Sequence, residues 1–140
     1  MEYRLPDLAS RASEESLVPL LRPRDDLALD PGPLARLFGS RHEAAAEEVV
    51  CRAMEEISAR LMQIEMFHAE CRFAELARAA RGLIGVADQI GLRGLALSAS
   101  HVAVCSEGRD AVALGATLAR LQRIADGSLA EIWDLPHEPA

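Results

Sequence analysis

Lysine and asparagine are both absent from this 140-residue chain, and all 15 of its basic side chains are arginines. Because the codons of lysine and asparagine are rich in adenine, their absence indicates a GC-rich bacterial genome. Aromatic residues make up only 4% of the chain, although 50% of it is hydrophobic. The length suits one domain, and its core must therefore be built from aliphatic side chains.

Uninterrupted apolar runs of transmembrane length are also missing, and the N-terminus has no signal-peptide layout. We therefore expect a cytoplasmic protein without a membrane partner. The net charge of −7 disfavours non-specific binding to nucleic acid. Three widely spaced cysteines, Cys51, Cys71 and Cys105, do not form a disulfide framework. We expect all three in apolar helical surroundings, where free cysteine behaves as a small hydrophobe.

Prolines concentrate in the first part of the chain, where five of the seven lie within residues 1–41. That density prevents a long helix, yet apolar residues such as Leu17 and Leu21 are present. We predict a proline-rich arm over 1–41, with a helical turn over Pro33–Phe38 that Gly39 ends. Residues 42–135 are predicted to form the main helical body, and 136–140 a tail.

Two long helices are predicted in the first half of the body. The sequence Ser40–Glu43 has a capping-box pattern that begins the first one. No proline or glycine follows before Gly82, and a single helix reaching Ile90 would be about 75 Å long, too long for a domain of this size. We therefore place a break near Met66–Arg72, followed by a second helix over 72–90 that ends at Gly91.

Two further helices complete the body. The third, over 92–106, is apolar nearly all round and is expected to be central or to lie at an interface. Asp110 can cap the fourth, which we expect to end at Gly127, before Ser128–Glu131 opens a short final turn. Four amphipathic helices with short connections predict an all-α fold, an antiparallel up-and-down four-helix bundle.

One eleven-residue stretch of the second helix resembles a known signalling family. Histidine-containing phosphotransfer (HPt) domains carry a helix that reads roughly His-x-Leu-Lys-Gly-Ser-Ala-x-x-Leu-Gly. The stretch over 81–91 is similar at five positions and differs at the two that the chemistry needs: Arg81 stands in place of the histidine and Ile84 in place of the lysine. The matching residues are Leu83, Gly85, Ala87, Ile90 and Gly91.

The substitution at position 81 removes the expected chemistry. A phosphohistidine requires a neutral, nucleophilic imidazole nitrogen, whereas the guanidinium of Arg81 stays protonated at physiological pH. Ile84 cannot stabilise a phosphoryl oxygen as a lysine does. We therefore expect no enzymatic activity, and no catalytic residue, metal or cofactor is predicted. The pair His68 and Cys71 supplies two ligands only, too few for a zinc site.

The resemblance implies a docking face and partners. In HPt domains the equivalent of Gly85 leaves room for a response-regulator receiver domain, and receiver domains carry an acidic phosphoryl-accepting pocket. The implied docking face comprises Arg78, Arg81, Gly82, Ile84 and Gly85, with Arg81 able to occupy that pocket without phosphotransfer. From the residues alone, close helix packing explains the two glycines equally well, and a solvated side chain on an exposed helix face is the favoured explanation of Arg81.

The sequence thus predicts a non-catalytic, HPt-like adaptor of a bacterial two-component phosphorelay, with a receiver domain or a histidine kinase as partner. Two alternatives stay open. The first is a structural homodimerisation module, with the apolar third helix and the arm as interface. The second is an active phosphotransfer protein that uses His68 or His101, although we expect His101 to be buried and hydrogen-bonded.

Overall fold

The computed structural model describes residues 25–134 and is all-helical over that range. An isolated antiparallel bridge between Leu29 and Leu92 is the sole β contact among these residues. The all-α prediction is confirmed, and none of the helices described is long and apolar enough to cross a membrane. The five helices are α1 (Gly32–Ser40), α2 (Glu43–Ala69), α3 (Phe73–Gln89), α4 (Arg93–Glu107) and α5 (Ala111–Trp133).

The long helices pack against their neighbours in chain order, α2 on α3, α3 on α4 and α4 on α5, while α1 contacts α2. The third predicted helix, α4, is therefore flanked by two others. The fully buried large side chains are aliphatic, as the scarcity of aromatic residues predicted, and the single tryptophan, Trp133, is 72% exposed. The fully buried aliphatic side chains include Ile57, Ile64, Leu76, Leu83, Leu95, Leu114, Leu121 and Ile124.

Several predicted helix ends are confirmed. The break between the two long helices falls at 70–72, within the predicted range, and Cys71 there adopts a left-handed conformation with φ of 55°. Gly91 follows α3 with φ of 80°, a conformation that glycine adopts without steric cost. Asp110 caps α5, because its carboxylate accepts a hydrogen bond of 3.1 Å from the backbone N–H of Ala113.

The capping box predicted to begin the first long helix is wrong. Ser40 is the last residue of α1, and its hydroxyl donates back to the Leu37 carbonyl oxygen at 3.4 Å. His42 is the N-cap of α2, without a side-chain capping bond. The short helix predicted at Pro33–Phe38 exists as α1 but continues past Gly39. Because α1 ends only three residues before α2 begins, Ser40 belongs to α1 and is not available to cap α2.

Two further expectations are wrong. Helix α5 does not end at Gly127 but runs on to Trp133. The glycine at this position makes room for Leu27, since a Cβ added there would lie 3.0 Å from the Leu27 Cδ2 atom. The cysteines are not generally in apolar surroundings. Cys51 and Cys71 are exposed, and only Cys105 is partly buried.

A short non-helical segment, residues 25–30, lies across the helices and is called the strap below. The Leu27 carbonyl oxygen accepts a hydrogen bond of 3.1 Å from the Gly94 N–H, and the Asp30 N–H donates to the Gly91 carbonyl oxygen at 2.8 Å. At its start, the Asp25 carboxylate lies 2.8 Å from Arg123 Nε and 3.4 Å from Arg120 Nε. The strap therefore joins the first turn of α4 to α5. Residues 1–24, the larger part of the predicted arm, lie outside the described range.

Replacing Gly94 tests the strap. In Gly94→Ala, the added Cβ collides with the Leu27 carbonyl oxygen and disrupts the bond to it. We expect a loss of about 1–2 kcal/mol in the free energy of unfolding, because the lost hydrogen bond and the collision exceed the gain in helix propensity. The matched control is Gly115→Ala on α5, where nothing lies within 4 Å and alanine is expected to stabilise by about 0.5–1 kcal/mol. Urea unfolding measures the free energy of unfolding of both variants. If Gly94→Ala stabilised the protein as much as Gly115→Ala, the contact between the strap and Gly94 would be contradicted.

Asp25 gives the strap a pH dependence. The hydrogen bond from Arg123, followed by the charges of both arginines, holds the pKa of Asp25 below its ordinary 3.8 against the opposing effect of burial. A carboxyl group whose pKa is lower in the folded than in the unfolded state stabilises the fold. This stabilisation is complete above the unfolded-state pKa and is lost as the pH falls through the folded-state pKa. We expect wild type and Asp25→Asn to differ most at neutral pH and to converge below pH 3.8. Unfolding free energies of both proteins, measured from neutral pH to below pH 3.8, test this expectation. A difference between them that stays constant with pH would contradict the role of the Asp25 carboxylate in holding the strap.

Candidate functional site

Helix α3 carries the candidate site on the side turned away from the core. Its buried side chains lie on one face, and the exposed ones, including Arg78, Arg81 and Gly85, lie on the other. Because these three positions are separated by three and four residues, they line up along about two turns of helix. The residues that resemble the phosphotransfer motif are thus divided between the two faces: Leu83 and Ala87 are fully buried, whereas Arg81 and Gly85 point outward.

Gly85 leaves an open stretch of helix backbone. A Cβ built at this residue would meet nothing within 4 Å among the described residues. Glycine inside a helix costs about 1 kcal/mol relative to alanine, and no packing contact here offsets that cost. Of the two sequence interpretations of Gly85, close helix packing therefore finds no support, and an open surface remains.

Arg81 forms an ion pair with Glu107, the last residue of α4. The side chains of Arg81 and Glu107 are 51% and 49% exposed. The hydrogen bond that Arg81 donates to the Glu107 carboxylate, together with the negative charge of that carboxylate, raises the pKa of Arg81 above its ordinary value. The guanidinium at this position is therefore a permanent cation whose charge is offset by a neighbouring carboxylate. An exposed pair of this kind contributes little to stability and opens readily when a better acceptor approaches.

Gly82 has a different environment from Gly85. The Arg60 guanidinium, from α2, lies where a side chain at position 82 would be, and it also bonds the Glu56 carboxylate at 2.9 Å. A small residue at position 82 thus lets a side chain of α2 cross over α3. Ile84 is partly buried and packs against the core. Of the five residues in the predicted docking face, Arg78, Arg81 and Gly85 are exposed, and Gly82 and Ile84 lie at its two edges.

Next to Arg78, a shallow groove of about 190 Å³ runs between α2 and α3. Arg60 and Arg78 lie along it together with Glu75, while Phe67 and Ala79 supply apolar surface. Glu75 itself bonds Arg72 at 2.9 Å. The exposed side of α3 therefore carries arginines in a setting where carboxylates partly offset their charge.

Sequence reasoning missed two residues of this site, Glu107 and Arg60. Glu107 lies 26 residues after Arg81 and meets it only because α3 packs on α4. Arg60 follows Glu56 at a spacing that indicates a local pair on a solvated helix face, which it forms. No sequence signal reveals that its guanidinium also covers Gly82, since that depends on how α2 and α3 cross.

The two histidines considered as phosphate acceptors are both exposed. His101 was expected to be buried and hydrogen-bonded, and this is wrong: it lies on the outer side of α4, because the buried stripe of that helix consists of other, mostly small residues. His68 lies in the last turn of α2, beside a groove of about 220 Å³ between α2 and α5. Over residues 25–134, no group of three His, Cys, Asp or Glu side chains is arranged to hold a metal ion.

Comparison of this chain with protein-family models, with curated proteins and with solved structures finds no match. The resemblance to HPt domains therefore rests on the residues of the 81–91 stretch.

Proposed function

We propose that this chain is a non-catalytic, HPt-like adaptor of a bacterial two-component phosphorelay. In this proposal it docks a response-regulator receiver domain through Arg78, Arg81 and Gly85 without phosphotransfer. The observation that carries the proposal is the open backbone at Gly85, one helical turn from an exposed arginine. A partner surface can approach the helix closely at that glycine while the arginine reaches into it.

The proposed fold is the antiparallel up-and-down four-helix bundle, made of α2 to α5. Three connections of three residues each, 70–72, 90–92 and 108–110, support it, because such short loops join helices that reverse direction. The packing of each helix on the next in the chain supports it as well. In such a bundle the exposed side of α3 is a continuous surface available to a partner domain.

Arg81 supplies recognition in this proposal. Its planar guanidinium donates paired hydrogen bonds to carboxylates, and the phosphoryl-accepting pocket of a receiver domain is acidic. Docking requires Arg81 to exchange the Glu107 carboxylate for those of the partner. Since the Arg81–Glu107 pair is half-exposed, this exchange costs little. Because the protonated guanidinium of Arg81 is not a nucleophile, the docked pair holds the receiver without phosphoryl transfer.

Binding to receiver domains tests the docking proposal. We expect the full chain to bind at least one of a panel of isolated receiver domains in isothermal titration. Arg81→Ala is expected to weaken that binding by about 2 kcal/mol, or roughly 30-fold, and Gly85→Leu to abolish it by blocking close approach. The controls are Arg52→Ala, which removes another exposed arginine paired with a glutamate, and Gly115→Leu, at another open helix glycine. Binding that survives both α3 variants, or no binding to any receiver, would refute the proposal.

Active phosphotransfer through His68 or His101 is the competing function, favoured by the exposure of both imidazoles. Neither histidine has the lysine and glycine neighbours of the HPt motif. We expect incubation with a phosphorylated receiver domain or an autophosphorylated histidine kinase to leave the chain without acid-labile phosphate. Transfer to the chain that His68→Gln or His101→Gln removes would establish an active phosphotransfer protein and contradict the adaptor proposal.

A homodimerisation role, the other alternative, draws support from a different surface. Helix α4 exposes the apolar side chains of Leu97 and Val104, which lie outside the exposed side of α3. Self-association through α4 is therefore compatible with docking through Arg81 and Gly85.

A further inference from the structure

Helix α4 has an outer face that is largely exposed, although Glu107 at its end pairs with Arg81 of α3. Its apolar members are unusually open for large hydrophobic side chains, with Leu97 56% and Val104 64% exposed. At the two ends of this face lie charged side chains of opposite sign. Arg93 is 69% exposed with its Nη1 atom 3.9 Å from the Asp30 carboxylate, and Glu107 is 49% exposed and pairs with Arg81. We call the outer face of α4 the surface formed by Arg93, Leu97, Ser100, His101, Val104 and Glu107, which share one side of the helix at 3.6 residues per turn.

The outer face of α4 is self-complementary. Arg93 and Glu107 each lie seven residues from Ser100, on opposite sides of it. Leu97 lies three residues before Ser100 and Val104 four residues after it. A two-fold axis near Ser100 and His101 therefore brings arginine opposite glutamate and leucine opposite valine when two such helices run antiparallel. An isologous interface requires this kind of matching of a surface with itself.

We infer that α4 pairs with α4 of a second copy of this chain in an antiparallel homodimer. Arg93 of each copy meets Glu107 of the other, Leu97 packs against Val104, and the polar Ser100 and His101 lie at the axis. The occupant is a second copy because the face matches itself in this arrangement, in which Arg93 and Glu107 share their charges with Asp30 and Arg81 of their own chain. A parallel pairing places arginine against arginine and glutamate against glutamate, which is unfavourable.

The size of the face sets the strength of the dimer. A 15-residue helix offers about 22 Å of contact length, and a single helix pair lies at the small end of protein interfaces. We therefore expect a weak dimer that forms with increasing protein concentration. The inference does not depend on receiver docking. The two surfaces meet at Glu107, whose carboxylate serves Arg81 of its own chain and Arg93 of the second copy.

Charge exchange tests the antiparallel geometry. Sedimentation equilibrium of the full chain over a concentration series gives the dimer dissociation constant. Arg93→Glu and Glu107→Arg are each expected to raise it at least about fivefold, because each change turns two attractive pairs into repulsive ones. The double variant is expected to return it to near the wild-type value. Within one chain the two residues lie about 21 Å apart along α4, so direct contact between them does not explain such a rescue.

Matched controls separate the interface from changes in net charge and hydrophobicity. Arg52→Glu and Glu55→Arg, both at exposed positions of α2, change the net charge equally and are expected to leave dimerisation unchanged. Leu97→Ser is expected to weaken the dimer about tenfold, since each interface loses two leucines. Val112→Ser, at a side chain 85% exposed on α5, is its apolar control. Circular dichroism confirms that each variant remains folded.

Three results would overturn the inference. The first is a wild-type chain that stays monomeric up to about 1 mM, the weak limit of the affinities expected for a small interface. The second is a dimer that Leu97→Ser leaves intact. The third is a dimer that both charge reversals weaken but the double variant does not restore, which would place the contact elsewhere or in another orientation.

Discussion

The packing of α3 against α4 is the contact on which the rest of the structure depends. Both helices turn small residues towards the core, mainly alanines on α3 and alanine, glycine and serine on α4. With few aromatic side chains available, a dense core requires that helix backbones approach closely, and small residues allow this. At one end of the pair, where α3 begins and α4 ends, the Ser106 hydroxyl donates to the Phe73 carbonyl oxygen at 2.7 Å. This contact determines which residues of α3 and α4 remain exposed.

The strap reinforces that arrangement from outside. It lies across the connection between α3 and α4, bonds Gly91 and Gly94, and reaches α5 through Asp25 and its two arginines. Glycines at 91, 94 and 127 make room for it, which is why three glycines in the body relate to a segment far earlier in the chain. The start of α4 is thereby held to α5, and the helix presents its outer face and Glu107 in a defined position.

The candidate site shows how far sequence reasoning reaches. Arg81 and Gly85 were identified from a short motif, and their exposure follows from helical periodicity together with the buried positions of Leu83 and Ala87. The partner of Arg81 was not identified, since Glu107 belongs to another helix. His101 was misplaced because an apolar neighbourhood in sequence indicated burial. The buried side of α4 consists of small residues together with Leu95 and Val102, and His101 lies on the opposite side with Leu97 and Val104.

The sequence by itself determined the helical class, an aliphatic core, the helix boundaries at Gly91 and Asp110, and the permanent positive charge of Arg81. Each of these depends on local periodicity, capping or side-chain chemistry. The tertiary structure alone decided that Gly127 makes room for Leu27, that Cys71 forms a left-handed turn, that Arg60 covers Gly82 and that Glu107 holds Arg81. These features join residues distant in the chain or depend on how helices cross, and local patterns carry no information about either.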